Sequence, residues 1–313
     1  METLKRAWSW LNDEPRRLVG MRILQAAIGL LLCFRVATEW RFATFFWGPH
    51  GVGAGTTRAL FGDRVSLWLL APFQSDLGVR LIGAGLFVAG LGLILGRFTR
   101  LCTAVALLLV LMFEARLAEI LDGGDNITRI VLCYGLFLLP AGAKSVRGSL
   151  SIFMHNVAVV AITAQICVVY VTAGLMKANG AHWVQGTALY MVSQVEWFSL
   201  PSSRWIFRNA VVTTCACYAT FFYQLWFPFA IFSRLRILWV FVGICFHVGI
   251  AYTMGLIPFS TIMIGLELSL LDDEDWATVR RWVDPAPWRA RMLSSAITRN
   301  LGARRTAFAR GRP

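Results

Sequence analysis

The segment SIFMHNVAVVAITAQICVVYVTAGLM, residues 151–176, contains no Asp, Glu, Lys or Arg and is closed by Lys177. A helix needs about 20 mainly apolar residues to cross roughly 30 Å of hydrocarbon at about 1.5 Å per residue, and this run exceeds that. Its apolar residues are continuous rather than alternating, which argues against a barrel strand. An open sheet edge would also leave backbone groups unpaired in lipid. Outward from this segment, nearly charge-free runs recur at 21–34, 81–96, 101–113, 127–141, 210–232, 237–256 and 259–271. The sequence therefore predicts an all-α fold, a polytopic transmembrane helical bundle of about eight spans. Composition agrees: 57% of the 313 residues are hydrophobic and 15% charged, with a mean hydropathy of +0.62, too little charge to cover a soluble surface.

The net charge of +13 raises nucleic-acid binding, and the placement of the charges argues against it. Lys5, Arg6, Arg16, Arg17 and Arg22 precede or open the first run; Arg97 and Arg100, Lys144 and Arg147, and Arg234 and Arg236 fall between later ones. With eight spans all of these lie on the side of the N-terminus, as do the tail arginines from Arg280 to Arg312. That is the positive-inside pattern, so both termini are expected in the cytoplasm. The expected organisation is an N-terminal cytoplasmic segment at 1–20, a transmembrane bundle at 21–271 and a basic cytoplasmic tail at 272–313. Residues 1–20 are too polar to read as a signal peptide. The tail reads as an arm on anionic membrane lipid, each surface Arg contributing about 1 kcal/mol.

The extracytoplasmic loops are then 41–80, the acidic turn at Asp122 and Asp125, 177–208, and the turn at Pro258. Trp40, Trp47, Trp68, Trp183, Trp197 and Trp205 fit interfacial anchors. The seven cysteines include no CxxC pair and read as small buried residues. HExxH, GxSxG and paired-histidine motifs are missing from the sequence, so no metal site is predicted.

Ionisable groups at membrane depth cost about 2.5–3.5 kcal/mol each on insertion scales, which makes every one a candidate for function. They are Arg35 and Glu39 on the first span, Glu114, Arg116 and Glu119 ending the third, Lys177 ending the fifth, His247 in the seventh and Glu267 in the last. Arg35 with Glu39, and Asp125 with Arg129, are four residues apart and read as ion pairs on one helical face. Lys177 has no acidic neighbour within a turn; it could serve as a base, or its side chain could snorkel to the interface. His247 lies too deep to snorkel and needs a partner inside the bundle. Asp125, Asn126, Lys177, His182 and Gln224 fall on neighbouring spans or their ends, where a polar cavity opening outward could form.

Several stretches taken in order resemble one family. VYVTAGLMKANGAHWVQGTALYMV (169–192) is similar to the Gly-Leu-x-Lys, Trp and Gly pattern of the HTTM domain, the bacterial membrane core related to vitamin K-dependent gamma-carboxylases. EPRRLVGMRILQAAIGLLLCFRVATEW (14–40) with FFWGPHGV (45–52), GGDNITRIVLCYGLFLL (123–139) and FHVGIAYTMGLIPFSTIMIG (246–265) extend the likeness. The resemblance implies a bundle in the bacterial inner membrane with a cavity for a reduced quinone near its outer leaflet. It also implies Lys177 as the base that deprotonates the hydroquinone. On this basis Lys177 and His247 are the candidate catalytic residues, and Asp125, Asn126, Trp183 and Gln224 the candidate substrate- or cofactor-binding ones. Two features depart from the carboxylases: Ile127 stands where they carry a histidine, and there is no counterpart of their large lumenal domain. An alternative implied by shorter relatives is a non-catalytic maturation factor for a small exported peptide, docking on 41–80 and 177–208.

Overall fold

The fold is taken from a computed structural model that describes residues 2–55, 68–117, 121–140 and 149–283; it is helical throughout, with no strand among the described residues. The helices are α1 (Glu2–Asn12), α2 (Leu18–Glu39), α3 (Ala43–Trp47), α4 (Asp76–Leu95), α5 (Thr99–Arg116), α6 (Gly123–Gly135) and α7 (Ser149–Ala178). They continue as α8 (Ala181–Val184), α9 (Ala188–Ser193), α10 (Ala210–Ile231), α11 (Arg236–Met254), α12 (Ile257–Ser269) and α13 (Asp273–Val283). The chain divides into two compact units, Met1–Asp273 and Glu274–Pro313. Lys144, Arg147, Glu119 and the tail arginines from Arg289 onward lie outside the described residues.

Each of the eight predicted runs contains a helix among the described residues, and the helices differ in length. Five are long and apolar enough to cross a membrane: Leu18–Trp47, Asp76–Leu95, Leu150–Ala178, Ala210–Ile231 and Arg236–Met254. Helices α6 and α12 have 13 residues each and rise only about 20 Å, short of the roughly 30 Å of hydrocarbon. Helix α5 has 18 residues but carries Arg100, Glu114 and Arg116.

Sequence punctuation sets the helix ends. Ser75 caps α4 by accepting from the Gly78 amide at 3.1 Å, and Gly96 closes it with φ +70°, a conformation that suits a residue without Cβ. Asp122 and Asp125 form a reciprocal capping box at the start of α6, satisfying two otherwise orphaned amides. Asn209 caps α10 through the amides of Val211 and Val212.

Helix α2 lies between α4 and α12, and small residues let the backbones approach. A Cβ on Gly29 would fall 2.5 Å from the carbonyl oxygen of Gly90, and one on Gly265 would fall 2.6 Å from Cβ of Ala27. Without a hydrophobic difference between helix and lipid, this kind of close packing is what holds spans together. At the end of α2 expected to face the cytoplasm, Asp273 accepts from the amides of Leu18 and Val19 and Asp272 pairs with Arg17 and Arg236. Asn156 of α7 there donates to the carbonyls of Leu11 and Glu14 and accepts from the Arg16 amide, which ties α1 to the bundle.

One expected anchor sits elsewhere. Trp47 is 5% exposed and packs in a core cluster with Phe73 and Phe113, because buried Arg116 donates to the carbonyls of Trp47 and Gly48 and draws that turn inward. Trp68, Trp197 and Trp205 are exposed as expected.

Replacing Gly29 by Leu should drive α2 and α4 apart, at a cost of about 1–3 kcal/mol as for other overpacked sites. Gly249→Ala, where an added Cβ meets nothing within 4 Å, should be tolerated. Thermal unfolding of the detergent-solubilised protein compares the two; equal midpoints would contradict this packing.

Candidate functional site

The carboxylate of Glu267 on α12 is fully buried at 0% exposure. Its Oε1 accepts from Tyr170 Oη of α7 and from Tyr223 Oη of α10, the latter at 3.0 Å. Tyr170 Oη is also 2.7 Å from Nε2 of His247 on α11. Since the tyrosine proton goes to the carboxylate, the tyrosine oxygen accepts from His247, which fixes the Nε2–H tautomer and leaves Nδ1 as an acceptor. Neither His247 Nδ1 nor Glu267 Oε2 has a hydrogen-bond partner, so the chain His247, Tyr170, Glu267 has a vacant acceptor at each end.

Packing holds these groups in place. Tyr170 meets Tyr223 edge-on with centroids 5.6 Å apart, Trp239 stacks on Tyr223 at 5.3 Å, and Phe246 and Phe259 flank His247 at 5.1 and 5.6 Å. Gly243, one turn before His247, clears the space: an added Cβ would collide with Glu267 Oε1 and Tyr223 Oη. Gln224 is buried beside Tyr223 on α10, its Oε1 unpaired. Pro228 lies inside that helix and cannot donate to the Gln224 carbonyl four residues back.

Lys177 sits seven residues beyond Tyr170 on α7, about 10 Å along the same helical face. Its Nζ is half-buried, 5.0 Å from the ring centroid of Trp183, and makes one hydrogen bond, to the Ala173 carbonyl at 3.5 Å. Lys177 and Trp183 are thus brought together as a cation–π pair. No hydrogen bond or ion pair joins Lys177 to His247. His182 is exposed, with Nδ1 3.3 Å from Thr187 Oγ1.

Asp125 and Asn126 belong to a third group. Asp125 pairs with Arg35, which also reaches Glu39 at 3.4 Å, and Asn126 accepts from Arg129 at 2.6 Å. The expected Asp125–Arg129 pair is replaced: Arg129 bonds Glu114 at 2.7 Å instead. The capping box turns the Asp125 carboxylate back toward the Asp122 amide, away from a residue one turn further on. Phe259 stands between this group and the histidine, since its Cα lies 3.2 Å from where a Cβ of Gly124 would sit and its ring touches His247.

The six candidates therefore do not share one site: Lys177 pairs with Trp183, His247 joins Tyr170, Gln224 is buried next to Tyr223 in α10, and Asp125 and Asn126 bond Arg35 and Arg129. Sequence reasoning singled out Glu267 as an ionisable group but passed over Tyr170, Tyr223 and Gly243. Their only signal was spacing: Tyr170 lies seven residues before Lys177, and Gly243 four before His247.

Residues 149–276 match the HTTM domain, and the matched stretch contains Tyr170, Lys177, Trp183, Tyr223, Gln224, His247 and Glu267. No curated protein and no solved structure matches the chain.

Gly243→Ala should displace the Glu267 carboxylate and lower stability more than Tyr170→Phe. The latter removes one of two donors to a buried acceptor, a loss of about 1–3 kcal/mol. Thermal unfolding in detergent ranks the two, and an unchanged midpoint for Gly243→Ala would refute the packing described.

Proposed function

We propose that this HTTM membrane protein is an enzyme that moves a proton on a lipid-soluble hydroxylic substrate, a reduced quinone, at the extracytoplasmic side. The observation that carries this reading is the buried chain of His247, Tyr170 and Glu267. A carboxylate, an imidazole and two phenols at membrane depth are costly to insert and are kept where they handle charge.

The residues near Lys177 suit such a molecule. The ammonium offers three donors and engages one carbonyl, leaving donors for a ring oxygen, and Trp183 presents an aromatic face beside it. A reduced quinone bound there supplies an acidic hydroxyl and two electrons. Lys177, when neutral, receives a proton at Nζ, and Trp183 orients the amine and shields it from water. Deeper in the bundle, His247 Nδ1 is a buried acceptor without a partner, which would take the proton of the substrate's second hydroxyl. The Nε2 proton then passes to Tyr170 Oη, and the tyrosine's own proton passes to Oε1 of ionised Glu267. Each group ends with the charge it can hold, and only Glu267 changes from anion to acid. On this reading Lys177 is the base and the buried chain the proton sink.

A second reading, docking of a small exported peptide, is favoured by one observation: Trp197, Phe198 and Trp205 are exposed in the segment between α9 and α10. The two readings differ at the lysine. Lys177→Ala should abolish quinol turnover, by a factor of about 10² or more for loss of a general base, with the thermal midpoint within a few degrees of the parent protein. Extraction of the purified protein into organic solvent, followed by mass spectrometry, should yield quinone in stoichiometric amount. Full turnover by the Lys177→Ala protein would eliminate the proposed base.

A further inference from the structure

A second polar site lies outside the matched domain. Between α2, α3, α4 and α5 there is a cavity of about 60 Å³ lined by Leu32, Val36, Trp40, Trp47, Phe113 and Glu114, among others. Its lining is apolar apart from Glu114, Arg35 and Glu39. Glu114 is 7% exposed; its Oε2 is bonded by Arg129 at 2.7 Å, and its Oε1 is buried without any partner. Glu114 lines the cavity, and leaving one oxygen of a buried carboxylate without a donor costs about 1–3 kcal/mol or more, which a donor placed beside Glu114 would recover.

Three features narrow the ligand. The cavity is smaller than the roughly 150 Å³ that holds benzene, so it admits a small head group and not a fused ring. Next to it, sharing Val36 and Trp40, is a groove of about 420 Å³ between α2 and α4, lined also by Ala37, Ala84, Phe87 and Val88. These groove residues are all apolar, and Val88 at 66% exposure faces outward from a helix long and apolar enough to span. Trp40 rests on Gly83, its ring 3.4 Å from where a Cβ would sit, which makes the notch between the helices. The third feature is charge. Glu114 and Arg129, and Arg35 with Glu39 and Asp125, are already paired, and burying a further full charge would cost several kcal/mol. One vacant acceptor calls for one neutral donor.

We propose that this site binds a lipid alcohol entering sideways from the bilayer, its hydroxyl donating to Glu114 Oε1 and its chain lying in the groove between α2 and α4. The site lies in residues 32–121 and does not depend on the role given to Lys177.

The test is photolabelling of the full-length protein in detergent with dodecanol carrying a diazirine in its chain, with labelled residues mapped by mass spectrometry. Labels should fall on residues 36–40 and 84–88. Unlabelled dodecanol should compete at least tenfold better than dodecyl methyl ether, which has the same chain and no donor. Ala84→Phe, which fills the groove on an outward-facing surface, should reduce labelling about tenfold, and Glu114→Gln should narrow the preference for alcohol over ether. Equal competition by alcohol and ether, stronger competition by dodecylammonium, labels spread evenly over the exposed spans, or undiminished labelling of Ala84→Phe would each overturn the proposal.

Discussion

The bundle's internal order depends on satisfying one carboxylate that no water reaches. Glu267 has two phenols donating to a single oxygen, and this requires α7, α10 and α12 to meet at fixed depth. Helix α11 contributes by absence as well as by presence. Gly243 gives the carboxylate its space, and one turn later His247 reaches the oxygen of Tyr170. In hydrocarbon an unpaired polar group costs several kcal/mol, so slippage of any of these helices by a residue would break more than it could replace. The polar set thereby fixes register among helices whose apolar surfaces alone would leave it loose.

The other half of the molecule solves the same problem differently. Around α2, α5 and α6, charges compensate one another: Arg35 with Glu39 and Asp125, Arg129 with Glu114. Hydrogen bonds among phenols, an imidazole and one carboxylate dominate the α7–α12 half and ion pairs the α2–α6 half, with Phe259 between them. Packing follows the division, since α2 is gripped through glycines on both sides whereas only 17% of the apolar window of α11 is buried. A helix so little covered by protein has most of its surface left for lipid.

The helical, membrane-spanning character was legible in the sequence because continuous apolar runs admit no other structure in lipid. Two helix ends coincide with boundaries read in the sequence, the acidic turn at Asp122 and the end of the apolar run at Gly96. Span lengths were less so: the run at 127–141 continues in apolar residues past Gly135, where α6 stops, and hydropathy does not register that. The grouping of site residues could not be read at all, since it depends on which helix faces meet. Lys177 and Trp183 are six residues apart and found each other locally, whereas His247 took its partner from Tyr170, 77 residues away. Tyrosines in an apolar run look like ordinary core aromatics until a carboxylate is seen between them. The pairing of Arg129 with Glu114 rather than Asp125 was hidden for a similar reason, because helical spacing says nothing of a carboxylate already used in a cap.

The hydrogen bond from His247 to Tyr170 carries most of this account. ¹⁵N NMR of histidine-labelled protein in detergent reads it directly, since the chain has four histidines and a His247→Gln spectrum assigns the one that matters. A neutral ring is expected, protonated at Nε2 and bare at Nδ1, with an Nε2 shift that moves when Tyr170 is replaced by Phe. A ring protonated at Nδ1, or a spectrum indifferent to Tyr170→Phe, would contradict it.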